Sequence, residues 1–238
     1  RRVLLIDLDP QGNATVSSGF DKHQLGATVA ELLLDEAGFE AVCRQSETGG
    51  YDLLPANIEL AGAEFQLVSR IGRETRLKRL LAPVVARYDF VLIDCPPALN
   101  TLTLNALVAA DDILIPVQCE YFALEGLSAL LETVEQVRSA LHPELGIAGV
   151  LRTLYDARNR LALDVSEQLL QHFGDKLFET LIPRNVRLAE APSYGLAAMY
   201  YDKTSVGAEA YMQAARELVK RARKRGRLGQ ATGEAALS

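Results

Sequence analysis

Short, unbroken apolar runs alternate along this chain with stretches in which apolar residues return every three or four positions. Val3-Leu4-Leu5-Ile6, Phe90-Val91-Leu92-Ile93 and Ile113-Leu114-Ile115-Pro116-Val117 are runs of the first kind. Such a run, with no polar alternation, predicts a parallel strand buried on both faces. Residues 147–154 and 177–182 predict two further strands, the second closed by Pro183, and residues 51–55 a short one. Residues 28–34, 124–141, 161–173 and 205–224 carry helical spacing, as do residues 74–87, where Pro83 predicts a kink. Strands that alternate with helices predict an α/β protein with a doubly wound, mostly parallel sheet and helices on both faces. No linker or repeat interrupts the pattern, so residues 1–225 are expected to form one domain and residues 226–238 a disordered tail.

Composition agrees with one large core. The chain has 238 residues, 49% of them hydrophobic and 24% charged, the balance of a globular protein. There is no Trp, so Leu, Val, Ile and Ala must fill the interior. No apolar run approaches the length of a membrane span, and the opening Arg1-Arg2 leads directly into a strand without a signal peptide. Cys43, Cys95 and Cys119 are odd in number and widely spaced, which predicts reduced thiols. His23, His142 and His172 lack ligand spacing, which argues against zinc.

The chemistry lies where two apolar runs end. Asp7 and Asp9 follow the first, and Asp94 closes the second. Ligands of an open parallel sheet bind at the carboxyl ends of its strands. Asp7 and Asp9, two apart, would project from one face of an extended backbone. A strand-end Asp beside a nucleotide orients magnesium-bound water, as a Walker B carboxylate does. A strand-end Asp met alone is as well explained as a turn cap. Leu-Leu-Ile-Asp-Leu-Asp-Pro-Gln-Gly-Asn together with Val-Leu-Ile-Asp-Cys-Pro-Pro is far more specific.

At these residues the chain resembles the ParA/Soj/MinD family of ATPases with a deviant Walker A loop. Residues 7–15 resemble its switch I, and Asp94-Cys95-Pro96-Pro97 its switch II. Residues 116–127 and 182–193 match later segments, the last typical of the chromosomal ParA/Soj branch. The family opens with a strand, a loop of the type Lys-Gly-Gly-x-Gly-Lys-Thr-Thr and a helix; this P-loop unit has no counterpart in the sequence and is expected upstream of Arg1. The resemblance implies ATP and Mg2+ as cofactors. Asp9 would position the attacking water, Asp9 and Asp94 would hold Mg2+ through water, and Asp7 would support them from behind. Pro183 and Asn185 would contact adenine, and Arg158 and Arg187 DNA phosphates. As a residue, Asn185 is equally a plain turn Asn.

The same resemblance implies a homodimer formed with ATP, non-specific double-stranded DNA and a ParB/Spo0J-type partner. It implies chromosome or plasmid segregation in the cytoplasm, on the nucleoid. The formal net charge of −6 requires DNA binding to come from a local basic face. The basic positions are Arg152, Arg158, Arg160, Arg184 and Arg187, and later Lys220, Arg221, Arg223, Lys224, Arg225 and Arg227. The late run also suits the end of a helix, whose dipole favours cations. Two other readings stand beside this one. A MinD-like membrane switch would need a C-terminal helix with large apolar residues, and near the basic run only Leu218 and Val219 qualify. A non-catalytic, truncated fragment is the third.

Overall fold

The computed structural model describes residues 1–121 and 123–226. The tail expected over 226–238 therefore lies, apart from Gly226, outside the described residues, as does Arg227. Strand β1 (Val3–Asp7) is followed by α1 (Asn13–Ser17), α2 (Val29–Leu33) and α3 (Phe39–Val42), then β2 (Arg44–Gln45) and β3 (Asp52–Leu54). Next come α4 (Glu59–Leu67), α5 (Arg76–Leu81), β4 (Phe90–Asp94), α6 (Thr101–Ala109) and β5 (Asp112–Gln118). The last part comprises α7 (Ala123–Ala140), β6 (Gly146–Tyr155), α8 (Arg160–Phe173), β7 (Leu177–Pro183), α9 (Val186–Glu190), α10 (Ala198–Tyr201) and α11 (Val206–Lys224).

The expected α/β alternation is present, but the strands form two sheets. One has the order β2-β3-β1-β4 and the other β5-β6-β7. All pairings are parallel except that of β2 with β3. The P-loop strand that the family resemblance implies would be expected beside β1. Instead β1 is paired on both sides, through Leu4↔Asp52 to β3 and from Val3↔Phe90 to Asp7↔Asp94 with β4. Among the described residues the strands with an unpaired edge are β2 and β4 in the first sheet and β5 and β7 in the second. Leu92 and Leu114, in the middle of β4 and β5, are 43% and 37% exposed, so the double burial that their apolar runs predict is not met by these residues.

The two sheets are joined by helices. Leu107 and Val108 of α6 pack with Val134 and Val137 of α7 and with Leu145. His142 Nε2, on the turn after α7, lies 3.0 Å from the Ala110 carbonyl oxygen. Local signals account for several helix starts. Thr28 and Glu31 form a capping box at α2, and Asn100, Asn159 and Ser205 cap α6, α8 and α11 with their side chains. The helix expected over 74–87 is broken rather than kinked. Helix α5 stops at Leu81 because Pro83 has no N–H for the next rung, and the Val84 amide closes a tighter turn on Leu81 O at 2.9 Å.

Helix α11 lies on the second sheet. Its Ala210 and Ala214 pack with Phe178, Ile182 and Leu151, and Leu218 covers the same cluster. Two arginines of the late basic run belong to this contact. Arg221 donates to Glu217, to Asp175 O and to Leu177 O, and its guanidinium sits 4.4 Å from the Phe178 ring centroid. Arg225 pairs with Asp112 and donates to Ile147 O. Glu217 binds the strand side of the same contact, accepting from the Glu179 and Thr180 amides at 3.0 Å and from the Thr180 hydroxyl at 2.8 Å.

Burial alone would raise the pKa of Glu217. The hydrogen bonds from Thr180, Glu179 and Arg221 outweigh it and hold the carboxyl below its ordinary value of 4.5. A depressed carboxyl stabilises the fold above its unfolded pKa and loses that contribution as pH falls through the folded value. Glu217→Gln should therefore destabilise the protein by about 1–2 kcal/mol at pH 7. Denaturant unfolding should show the difference from the parent shrinking as the pH falls below 4.5.

Candidate functional site

Asp7 ends β1 and is fully buried. Its Oδ2 accepts from the Thr15 amide at 2.8 Å and from the Thr15 hydroxyl at 2.7 Å, and its Oδ1 accepts from the Asp9 amide at 3.2 Å. Thr15 lies in the first turn of α1, so this carboxylate caps the helix from the neighbouring strand. The Thr15 hydroxyl in turn accepts from the Ala56 amide at 2.9 Å, which ties α1 to the segment after β3. Burial raises the Asp7 pKa, and the bonds from Thr15 and Asp9 oppose the rise. Both oxygens are thus spent on the loop, and Asp7 stands behind the site rather than in it. The sequence left Thr15 without a role of its own. Its signal is a hydroxyl residue one turn into a helix, eight positions after a strand-end Asp.

The loop between Asp7 and Thr15 is held on its other side by Gly12. This residue has φ +63°, and a Cβ there would meet Ala56 O at 2.7 Å. Asp9 Oδ1 accepts from the Gln11 amide at 2.9 Å, and Asp9 O accepts from the Gly12 amide at 2.9 Å. The Asp9 side chain is half-buried. Asp7 and Asp9 therefore do not share an outward face. Extended backbone ends at Asp7, the chain turns, and only Asp9 reaches the open side.

Asp94 stands beside them, in register with Asp7 on the neighbouring parallel strand, and Leu8 N donates to its carbonyl at 2.8 Å. Asp94 is exposed at the end of β4. Crowding by protein and loss of water push its pKa up to about 6, and the charges of Asp7 and Asp9 add to the rise. A carboxylate so disfavoured in its charged form, beside a second one, suits a cation. Among the described residues no group of three or more His, Cys, Asp or Glu side chains could hold a metal ion. Asp9 and Asp94 fit a hard, hydrated Mg2+ that keeps most of its waters. No glycine-rich loop followed by Lys-Thr occurs in the 238 residues.

The remaining candidate residues lie at the carboxyl ends of β6 and β7. Pro183 closes β7 opposite Tyr155, and Arg184 N donates to Tyr155 O at 3.1 Å. Asn185 caps α9, its Oδ1 accepting from the Arg187 amide at 2.9 Å. That uses one of the two lone pairs of the side-chain oxygen and leaves the amide donors. Arg158 follows β6 with its side chain 91% exposed, and forms a two-point pair with Asp156, Nε to Oδ1 at 3.0 Å and Nη2 to Oδ2 at 2.9 Å. Arg187 pairs with Glu190 at 2.8 Å and with Asp202 at 3.4 Å. Helix α1 packs on the turn Ala191–Tyr194, close to α9, and Gly19 comes within contact of Gly195. The Asp9 loop and the Arg187 segment therefore share a wall.

Comparison with known proteins accords with this geometry. A family described as an AAA domain matches residues 1–147. The sporulation initiation inhibitor protein Soj of Bacillus subtilis is 50% identical over 92% of this chain and 86% of its own length. The chromosome partitioning protein ParA of Caulobacter vibrioides is 46% identical over 94% and 85%. Among solved structures, a Mycobacterium smegmatis protein crystallised as cobyrinic acid a,c-diamide synthase with an ATP analogue and magnesium superposes with a TM-score of 0.80. It is 41% identical and is covered over 85% of its length by 96% of this chain. The chain belongs to the ParA/Soj family of chromosome-partitioning ATPases.

Proposed function

We propose that the protein is an ATP-dependent dimerisation switch of chromosome or plasmid segregation. Residues 1–225 act as its ATPase domain. With ATP and Mg2+ two copies associate and bind double-stranded DNA without sequence preference, and a ParB/Spo0J-type partner stimulates hydrolysis. The protein works in the cytoplasm, on the nucleoid. The observation that carries this reading is that Asp9 and Asp94 come together where the adjacent parallel strands β1 and β4 end.

Bound Mg2+ would draw charge from the triphosphate as the terminal phosphoryl group transfers to water. Asp94 would orient a magnesium-bound water. Asp9 would hold the attacking water in line, since its loop is fixed from both sides by Asp7 with Thr15 and by Gly12. Pro183 would lie against the adenine, and the amide donors of Asn185 would reach its edge. Arg158 and Arg187 would meet DNA phosphates. Membrane attachment through the C-terminal helix has less support. The apolar side of α11 is occupied by Phe178, Ile182 and Leu151, and among the described residues no helix is long and apolar enough to cross a membrane.

Two outcomes test the reading in the full-length protein. Asp9→Ala should leave ATP binding and dimerisation intact and lower partner-stimulated kcat by about a hundredfold or more, because water positioning acts in the transition state. Turnover at the parent rate would remove Asp9 from catalysis. Arg158→Glu and Arg187→Glu should weaken DNA binding equally on every sequence and flatten its salt dependence by about one phosphate contact for each arginine lost. Dimerisation measured in parallel should survive. Loss of dimerisation to the same degree as DNA binding would show the arginines to be structural.

A further inference from the structure

Three basic residues at the carboxyl edge of the second sheet, Arg158, Arg184 and Arg187, are each answered by a carboxylate of the same chain. Arg158 is held by both oxygens of Asp156. Arg184 faces Glu120 at 3.5 Å, with both side chains well exposed. Arg187 lies between Glu190 and Asp202. In a chain whose formal net charge is −6, these three arginines therefore present little uncompensated positive charge to a polyanion.

Asp156 is built into its position. Its Oδ1 accepts from the Arg158 amide at 3.0 Å, and its backbone carbonyl accepts from the Asn159 amide at 3.0 Å. The turn that carries Arg158 thus also aims the carboxylate at the guanidinium. The root of this turn is strained. Leu154 has φ +50°, which a bulky side chain rarely adopts, and the β6–β7 register shifts between Arg152 and Tyr155. The pairing also moves the Asp156 pKa, which falls to about 2, first through the hydrogen bonds from Arg158.

We propose that Asp156 is an intramolecular stand-in for DNA phosphate, a positioning residue that keeps Arg158 ordered and masked until nucleic acid displaces it. Glu190 and Asp202 do the same for Arg187. The proposal rests on the reading of Arg158 and Arg187 as phosphate contacts and adds what sets their affinity. An exposed two-point pair is weak enough to exchange for a phosphate, yet it must be broken before the phosphate is bound. Its presence lowers non-specific affinity at no loss of fold, and it lets a small shift of the turn change DNA binding.

The test is a double-mutant cycle in the full-length protein with ATP and Mg2+, titrated with random-sequence double-stranded DNA at several salt concentrations. Asp156→Asn keeps the acceptor for the Arg158 amide and removes the charge, so the turn is retained, which thermal melting checks. DNA binding should tighten about two- to fivefold. In an Arg158→Ala background the same substitution should gain nothing, because no masked cation remains. An equal gain in both backgrounds would overturn the proposal, since Asp156 would then act only as one more negative charge near the DNA. No gain in either background, with Arg158→Ala weakening binding, would overturn it while leaving Arg158 a DNA contact. If Arg158→Ala leaves affinity unchanged, the DNA reading of this turn fails and the masking with it.

Discussion

A carboxylate buried at the end of β1 organises everything around the candidate site. Asp7 has no water, so its oxygens must be satisfied by protein, and they are satisfied by the Thr15 amide and hydroxyl and by the Asp9 amide. Thr15 passes the constraint to Ala56, and Gly12 fits under Ala56 O because it has no Cβ. One buried charge thereby fixes strand β1, helix α1 and the segment after β3 relative to one another. Asp9, between these anchors, has little freedom left. Removing one partner would leave a buried charge uncompensated, which is more damaging than losing an ordinary hydrogen bond.

The same frame relates the two sheets. Asp7 and Asp94 are in register, so the carboxylates gather where β1 and β4 end. The other candidate residues gather where β6 and β7 end, and α1 touches the turn that follows α9. The unpaired edges of β4 and β5, with Leu92 and Leu114 exposed, mark where each sheet has unmet hydrogen-bonding and apolar capacity. Basic residues divide into two kinds that composition does not separate. Arg221 and Arg225 fasten α11 to the strands, whereas Arg158 and Arg187 lie at the surface and pair with carboxylates.

Much of this was legible along the chain. The runs at Val3–Asp7 and Phe90–Asp94 became strands at those positions, because short unbroken apolar runs ended by a charge have few other solutions. The helices expected from residues 28, 161 and 205 begin at the capping side chains of Thr28, Asn159 and Ser205, because capping is a local interaction between neighbours. Asp9 and Asp94 stood out through their place after such runs. Helix α6 was not foreseen; it is apolar on most sides and offers no amphipathic period, and its buried Asn105 is satisfied only by Arg73 O, Thr101 O and the Leu77 amide.

The order of elements, the parallel sense of the strands and the carboxylates at their ends follow from the sequence, since each depends on residues close together in the chain. Tertiary structure alone decided that Asp7 turns inward while Asp9 faces out and that the strands part into two sheets. It alone decided which arginines are bound to carbonyls and which to carboxylates. Those outcomes depend on partners such as Ala56 for Thr15 and Leu177 for Arg221, which lie 41 and 44 positions away, and on how much water each charge retains. Neither distance nor solvation is written in the local pattern of residues.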